Sequence, residues 1–134
     1  MKKVMAFGTF DILHPGHEFF LQEAKKLGDN LTVLIARDRT VKNLKKHHPK
    51  HGEEVRLKNL EALALADRVI LGVEGGDKYA MIRETEPDII ALGYDQVFFI
   101  ENLKKNFPNI SIVRIGSFRP DIYHSSIIGD KSII

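Results

Sequence analysis

Short apolar runs alternate with longer amphipathic stretches along this chain. Five runs rich in Val, Ile and Leu are bounded by polar or glycine residues, which is the pattern of β-strands. The predicted strands are Val4–Phe7, Leu31–Ala36, Arg68–Leu71, Asp88–Leu92 and Ile110–Ile115. Most of these runs are apolar on both faces, as is typical of parallel strands covered by helices.

Stretches with helical spacing of apolar residues separate the strands. The predicted helices are His17–Leu27, Glu53–Ala66, Lys78–Glu84 and a stretch near Phe98–Asn106, and Gly28 is the expected stop of the first. After Ile115 the alternation ends, and we expect the chain to leave the sheet, cross the site and form a short final helix near Ser125. The pattern predicts a single α/β domain over residues 1–134, with a mostly parallel five-stranded sheet and right-handed crossovers.

Polar and glycine-containing segments follow four of the five predicted strands. Because the carboxyl ends of parallel strands meet at one edge, where α/β proteins bind their ligands, these segments are expected to form one site. They are Gly8-Thr9-Phe10, Arg37-Asp38-Arg39, Gly93-Tyr94-Asp95-Gln96 and Gly116 to Arg119.

Composition narrows the chemistry. The chain has 134 residues, 43% of them hydrophobic, enough for one packed domain. It has no cysteine, which excludes disulfides, a thiolate nucleophile and cysteine metal sites. No apolar run approaches the roughly 20 residues of a membrane span, and the start lacks a signal-peptide pattern, so we expect a cytoplasmic protein without a membrane partner.

Charge points to a phosphate-bearing ligand and away from nucleic acid. The net charge of +2 is too small to predict nucleic-acid binding. Residues 37–58, however, contain eight Lys and Arg against three Asp and Glu, a local excess of five positive charges. Such a segment suits a polyphosphate, although an ordinary solvated loop has the same composition.

The segment from Gly8 to His17, GTFDILHPGH, carries the strongest chemical signal. Pro15 suits the first position of a helix, where the backbone N–H groups are expected to be unpaired and to attract phosphate. His14 and His17 share a face of that helix. Structural histidines, or a zinc site completed by residues from His47, His48 and His51, are the alternatives, but Pro15-Gly16 favours close approach of phosphate.

The pattern GTFDxLHxGH resembles the signature of the cytidylyltransferase-like nucleotidyltransferases, and the resemblance covers most of the chain. This family includes glycerol-phosphate cytidylyltransferases and archaeal-type FAD synthetases that adenylylate FMN. The resemblance implies a three-layer Rossmann-like domain of the HxGH type. It also implies attack of a substrate phosphate on the α-phosphate of ATP or CTP, with release of pyrophosphate. Mg²⁺ carried on the nucleotide and a homodimer are implied as well.

The same resemblance assigns candidate site residues. Those implied in charge stabilisation are His14, His17, Lys45, Lys46 and Arg114. Those implied in nucleotide binding are Gly8, Thr9, Phe10, Arg56, Gly93, Asp95, Ser125 and Ser126. Arg56 follows the family's E-x-R pattern, with an intrahelical salt bridge as the alternative. Asp11 is expected to hydrogen-bond the turn beside the acceptor, since an ionised phosphate needs no general base.

The tail decides the predicted substrate. Glycerol-phosphate enzymes of the family carry R-T-x-G-I-S-T-[ST], whereas here a longer insertion separates Arg114 from Ser125-Ser126. Within it, Phe118 and Tyr123 are suited to stack on a flat ring and Arg119 to bind its phosphate, unless the aromatic pair only packs the loop. We therefore predict ATP and FMN as substrates ahead of CTP and glycerol phosphate. A nucleotide-binding sensor without turnover is the alternative outside enzymes.

Overall fold

A computed structural model describes residues 2–38, 42, 50–72, 79–93 and 100–116. Five strands and four helices alternate in this part of the chain. In order they are β1 (Lys3–Gly8), α1 (Pro15–Lys25), β2 (Asn30–Ile35), α2 (Glu53–Ala62), β3 (Arg68–Leu71), α3 (Ala80–Thr85), β4 (Ile89–Leu92), α4 (Ile100–Asn106) and β5 (Ser111–Arg114).

The five strands form one parallel sheet in the order β3-β2-β1-β4-β5. Strand β1 lies at the centre, where Val4 pairs with Leu31 of β2 on one side and with Ile89 of β4 on the other. The chain first builds the sheet outward through β2 and β3, then returns to the other side of β1. The gap between the carboxyl ends of β1 and β4 is therefore the topological switch point, where open α/β sheets bind ligands. The predicted fold class is confirmed.

Helices cover both faces of the sheet. Val4 and Ala6 of β1 face a core shared with α1 and α2, which includes Phe20 and Leu60. Met5, the residue between them, faces the opposite core, to which α3 contributes Ile82 and α4 contributes Leu103. The alternation along β1 thus produces the three layers, and it explains why most strands are apolar on both faces.

The boundaries of the first two helices differ from the sequence prediction. Helix α1 begins at Pro15 rather than His17, because the His14 side chain caps it. It ends at Lys25, and Gly28 serves a close approach: a Cβ there would lie 2.7 Å from the Lys2 carbonyl oxygen. Helix α2 ends at Ala62, four residues earlier than predicted, and Ala64 follows in a left-handed conformation with φ 56°.

The predicted final helix near Ser125 lies outside the described residues. Among the helices that the structure describes, none has the length and apolar character needed to cross a membrane.

Candidate active site

Two histidines cap the first helix for each other at the carboxyl end of β1. His14 is the N-cap residue, in an extended conformation (φ −147°, ψ 172°), and its Nδ1 accepts the Gly16 N–H over 3.1 Å. The Nδ1 of His17 accepts the His14 N–H over 3.3 Å. This is the reciprocal geometry of a capping box, with imidazoles in place of the usual hydroxyl and carboxylate. Pro15 occupies the first helical position, as predicted.

The two imidazole rings also stack, with 3.9 Å between their centroids and 27° between their planes. Each Nδ1 accepts a backbone N–H, so the neutral ring carries its proton on Nε2. Both side chains are half-buried. The cap thus presents two Nε2–H donors whose tautomer and orientation are set by the backbone of the same helical turn.

The expectation of unpaired amides at this helix start is wrong. Pro15 has no N–H, and His14 Nδ1 accepts the N–H of Gly16. The amides of His17 and Glu18 donate to the His14 carbonyl oxygen at 2.9 and 3.3 Å. The first turn is therefore satisfied within the protein, and hydrogen bonds to an anion fall to the histidine side chains. The helix dipole still favours negative charge here.

The loop between β1 and α1 turns sharply at Phe10. This residue has a φ of 51°, a left-handed conformation that is costly for a side chain other than glycine. Its ring is buried and covers the α-carbon of Gly8, where an added Cβ would lie 2.5 Å from a ring carbon. The same ring contacts His17 in a T-shaped arrangement, with 5.3 Å between ring centroids and 61° between planes.

Arg56 of α2 holds this loop through hydrogen bonds of its guanidinium. Its guanidinium donates to three acceptors, which belong to three segments of the chain: the Thr9 carbonyl oxygen (2.8 Å), the His51 carbonyl oxygen (3.0 Å) and Asp38 Oδ1 (2.6 Å). The side chain is 0% exposed. Its ionic partner is Asp38, at the end of β2, and not a neighbour on its own helix as the sequence allowed. Direct contact of Arg56 with a nucleotide stays a prediction.

Asp38 and Glu53 exchange hydrogen bonds and so join the end of β2 to the start of α2. The Asp38 N–H donates to Glu53 Oε1 over 2.9 Å, and the Glu53 N–H donates to Asp38 Oδ2 over 3.2 Å. Arg37 completes the group, donating to Glu53 Oε2 and to the Gly72 carbonyl oxygen at 2.8 and 2.6 Å. The hydrogen bond from the Asp38 amide lowers the pKa of the Glu53 carboxyl. Burial raises this pKa, but the Arg37 guanidinium lowers it further, so it lies below its usual value.

The sequence placed Asp38 at the correct edge but did not reveal its pairing with Glu53. The signal available was an acidic residue directly after a strand, followed by a second acidic residue at a predicted helix start. Fifteen positions separate the two, so local spacing carries no information on their contact.

Asp11 ties the histidine loop to the segment before α2. Its carboxylate accepts the backbone N–H groups of Lys50 (2.7 Å) and His51 (2.8 Å). Burial raises the pKa of this carboxyl, but these hydrogen bonds and the attraction of His51 and Arg56 outweigh burial, so the pKa lies below its usual value. Asp11 is an ionised acceptor at neutral pH, and these two backbone partners lie in the segment before α2 rather than in the turn that the sequence suggested. A contact with the acceptor substrate stays a prediction.

Two further candidates meet at the carboxyl ends of β4 and β5, beside the switch point. The guanidinium of Arg114, at the end of β5, donates to the Gly93 carbonyl oxygen at the end of β4 over 2.7 Å. Gly93 is buried and Arg114 is exposed. The remaining candidates lie outside the described residues: Lys45, Lys46, Asp95, Phe118, Arg119, Tyr123, Ser125 and Ser126.

Metal ligands are scarce in the described residues, which contain no group of three or more His, Asp or Glu side chains arranged to hold an ion. The carboxylates of Asp11, Asp38 and Glu53 already accept backbone amides or arginine N–H groups. His47 and His48, from the zinc alternative, lie outside the described residues.

A parallel sheet with paired histidines at its switch point defines a phosphate-handling site of the HxGH type, and the chain belongs to the cytidylyltransferase-like family. The model of this family matches residues 5–128. The predicted family is confirmed.

Similar proteins include several archaeal FAD synthases. The one from Aciduliprofundum boonei is 46% identical over 138 aligned positions, covering all of this chain and 89% of the relative. The one from Archaeoglobus profundus is 48% identical, over all of this chain and 87% of the relative. The one from Ferroglobus placidus is 50% identical, over 86% of this chain and 76% of the relative.

Among solved structures, a lipopolysaccharide core biosynthesis protein from Thermoplasma volcanium matches with a TM-score of 0.83 and 45% identity, over 89% of this chain and 99% of that one. A pantoate-beta-alanine ligase from Francisella tularensis has a TM-score of 0.61 at 20% identity, over 89% of this chain and 60% of that one. The second likeness shows the shared fold alone.

Proposed function

We propose that this protein is an FAD synthase, a nucleotidyltransferase that moves the adenylyl group of ATP onto FMN. A phosphate oxygen of FMN attacks the α-phosphorus of ATP, the bond from that phosphorus to the bridging oxygen of the β-phosphate breaks, and pyrophosphate leaves. The observation that carries the reaction type is the reciprocal cap of His14 and His17 at the switch point. FAD synthases at 46–50% identity support the choice of ATP and FMN.

In this mechanism His14 and His17 act as hydrogen-bond donors and not as bases. Their Nδ1 atoms accept backbone N–H groups, so each neutral ring donates through Nε2–H, which we assign to phosphate oxygens. Negative charge builds up on the oxygens of the transferring phosphate as the transition state forms. Donors that are already in position stabilise this charge at little reorganisation cost. The FMN phosphate is ionised at neutral pH, so the reaction requires no proton abstraction.

The residues around the histidines have supporting roles. Arg56 fixes the Thr9 carbonyl and Asp11 fixes the segment before α2, so the loop that carries the histidines has two anchors. Arg114 adds positive charge at the adjoining end of β5, and Lys45 or Lys46 is assigned to the β- and γ-phosphates. Asp95, Ser125 and Ser126 are assigned to the nucleotide.

We assign FMN to the tail, through Phe118, Arg119 and Tyr123. The metal is Mg²⁺ carried on ATP, where it neutralises triphosphate charge and favours departure of pyrophosphate. The cytoplasmic location and the homodimer are further parts of the proposal. The first rests on the sequence pattern and the second on family resemblance.

The deciding experiment measures pyrophosphate release for ATP and CTP, each with FMN, glycerol phosphate and phosphocholine. ATP with FMN is expected to give robust release and FAD. Activity with CTP and glycerol phosphate, and none with ATP and FMN, would overturn the substrate while keeping the reaction type. Tight nucleotide binding without release under any pair would favour the sensor.

A further inference from the structure

We infer that the side chain of Phe10 is a positioning residue for His17: its ring sets the orientation of the imidazole that stabilises the transferring phosphate. This inference rests on the proposed function, because it gives His17 a catalytic task. It assigns to the Phe10 ring a role separate from the backbone contact with phosphate predicted for this residue.

The first support is the direct contact of the two rings. The Phe10 ring meets His17 edge to face, at a centroid separation of 5.3 Å, within the range favoured for aromatic pairs. The His14 ring stacks on the His17 ring with 3.9 Å between centroids, and the His14 N–H donates to His17 Nδ1. The imidazole of His17 is therefore restrained by two rings and one hydrogen bond.

The second support is the unfavourable backbone conformation of Phe10. Its φ of 51° is unfavourable for a bulky residue, and such conformations persist where the surroundings determine them strongly. Here the residue before it is held by Arg56 through the Thr9 carbonyl, and the residue after it, Asp11, accepts two backbone amides. The turn is fixed on both sides, and its geometry delivers the ring to His17.

The third support is the glycine beneath the ring. A Cβ on Gly8 would lie 2.5, 2.8 and 3.0 Å from three carbons of the Phe10 ring, distances that force the ring to move. Gly8 ends β1, so the ring lies directly on the carboxyl end of the central strand. Glycine at position 8 therefore leaves the space that the Phe10 ring occupies.

The test is a double-mutant cycle on turnover with ATP and FMN. Phe10→Leu keeps an apolar side chain but loses the aromatic ring, and we expect kcat to fall about 10- to 100-fold, the scale of a misplaced catalytic group. KM for ATP should change by less than about twofold, since ground-state contacts remain. In a His17→Ala background the same substitution should change kcat by less than about twofold, because the group that it positions is gone.

Matched variants separate positioning from general damage to the fold. Phe20→Leu removes a buried ring from α1 in the same core, and it should lower stability while leaving kcat unchanged. Gly8→Ala, which displaces the Phe10 ring, should lower kcat like Phe10→Leu. Gly28→Ala also creates close contacts, but at the opposite edge of the sheet, and it should leave kcat unchanged.

The outcomes distinguish the two levels of the proposal. A fall in kcat for His17→Ala, with Phe10→Leu losing its effect in that background, supports the inference. Equal effects of Phe10→Leu in both backgrounds would overturn it while leaving the catalytic role of His17 intact. Full activity of His17→Ala would remove the catalytic role of His17 and with it the inference, whereas no turnover of ATP and FMN by the wild-type protein would remove the proposed function.

Discussion

The guanidinium of Arg56 donates a hydrogen bond of 2.8 Å to the carbonyl oxygen of Thr9, and through it a helix on one face of the sheet holds the loop that carries both histidines. The same guanidinium reaches Asp38 at the end of β2 and His51 before α2. Three segments distant in sequence therefore meet at one buried cation.

Replacing Arg56 with Met should reduce stability and turnover together. The carbonyl oxygens of half-buried Thr9 and exposed His51 would each lose a donor, and a hydrogen bond of this kind contributes about 0.5–1.5 kcal/mol. Loss of the ion pair adds less, because Asp38 is partly exposed to solvent. Urea unfolding and kcat measure the two effects. Arg68→Met, at an exposed position of β3, is the control and should change neither. Unchanged kcat in Arg56→Met would show that the loop is held without this contact.

The histidines can be tested while their caps are kept. His14→Asn retains a side-chain oxygen at the N-cap, and His17→Gln retains the acceptor typical of the third helical position. Both variants should keep most of their stability yet lower kcat by about 10²–10³, the cost of one preorganised donor. ATP affinity should change little. Small and equal losses in both, or recovery of kcat along with stability, would contradict a catalytic role.

The sequence predicted the sheet, its helices and the histidine pair, because each of these is encoded locally. Strands follow from apolar runs, and the position of His14 and Pro15 at a helix start follows from the ten residues around them. The support of the site could not be predicted in this way. The contacts of Arg56 with Thr9 and of Asp38 with Glu53 join residues that only the folded sheet brings together. The pairing of the first-turn amides was mispredicted because an imidazole is an uncommon cap.

Substitution of Glu53 and of Asp67 should affect kcat differently, because Glu53 lies near the carboxyl ends of the strands and Asp67 near their amino ends. Glu53→Gln weakens the junction of β2 and α2 and should reduce both stability and kcat. Asp67 accepts the Leu31 N–H over 2.8 Å and pairs with Lys25 at the amino edge, so Asp67→Asn should reduce stability and leave kcat intact. A fall in kcat for Asp67→Asn would contradict this separation.

The stability effect of Asp67 should depend on pH. The side chain of Lys25 and the Leu31 amide hold the pKa of Asp67 below its usual value of 3.8. The carboxylate therefore contributes stability above that value and loses it as pH falls through the lower pKa of the folded state. The difference in unfolding free energy between wild type and Asp67→Asn should be largest near neutral pH and shrink below about pH 4. Urea titrations between pH 7 and pH 3 measure it, and a constant difference would contradict the assignment.

Neutralising Lys45 or Lys46 should weaken binding of the triphosphate selectively. A charge-assisted hydrogen bond contributes about 1.5–3 kcal/mol, so the Gln variant of the lysine that binds the β- and γ-phosphates should raise KM for ATP about tenfold or more. Affinity for FAD, which lacks those phosphates, should remain nearly unchanged. Lys104→Gln and Lys105→Gln, at exposed positions of α4, are the controls. Equal weakening of ATP and FAD binding would place both loop lysines elsewhere.

Transfer should take place in one displacement, without a nucleotidylated enzyme. The chain has no cysteine, and the histidines present hydrogen on Nε2 with Nδ1 already committed to the backbone, so neither offers a free lone pair as a nucleophile. Direct attack by the FMN phosphate inverts the configuration at the α-phosphorus. ATP made chiral by sulfur at that phosphorus should therefore give FAD of inverted configuration, determined by phosphorus NMR. Net retention would require two displacements and a covalent intermediate, and it would overturn the one-step mechanism.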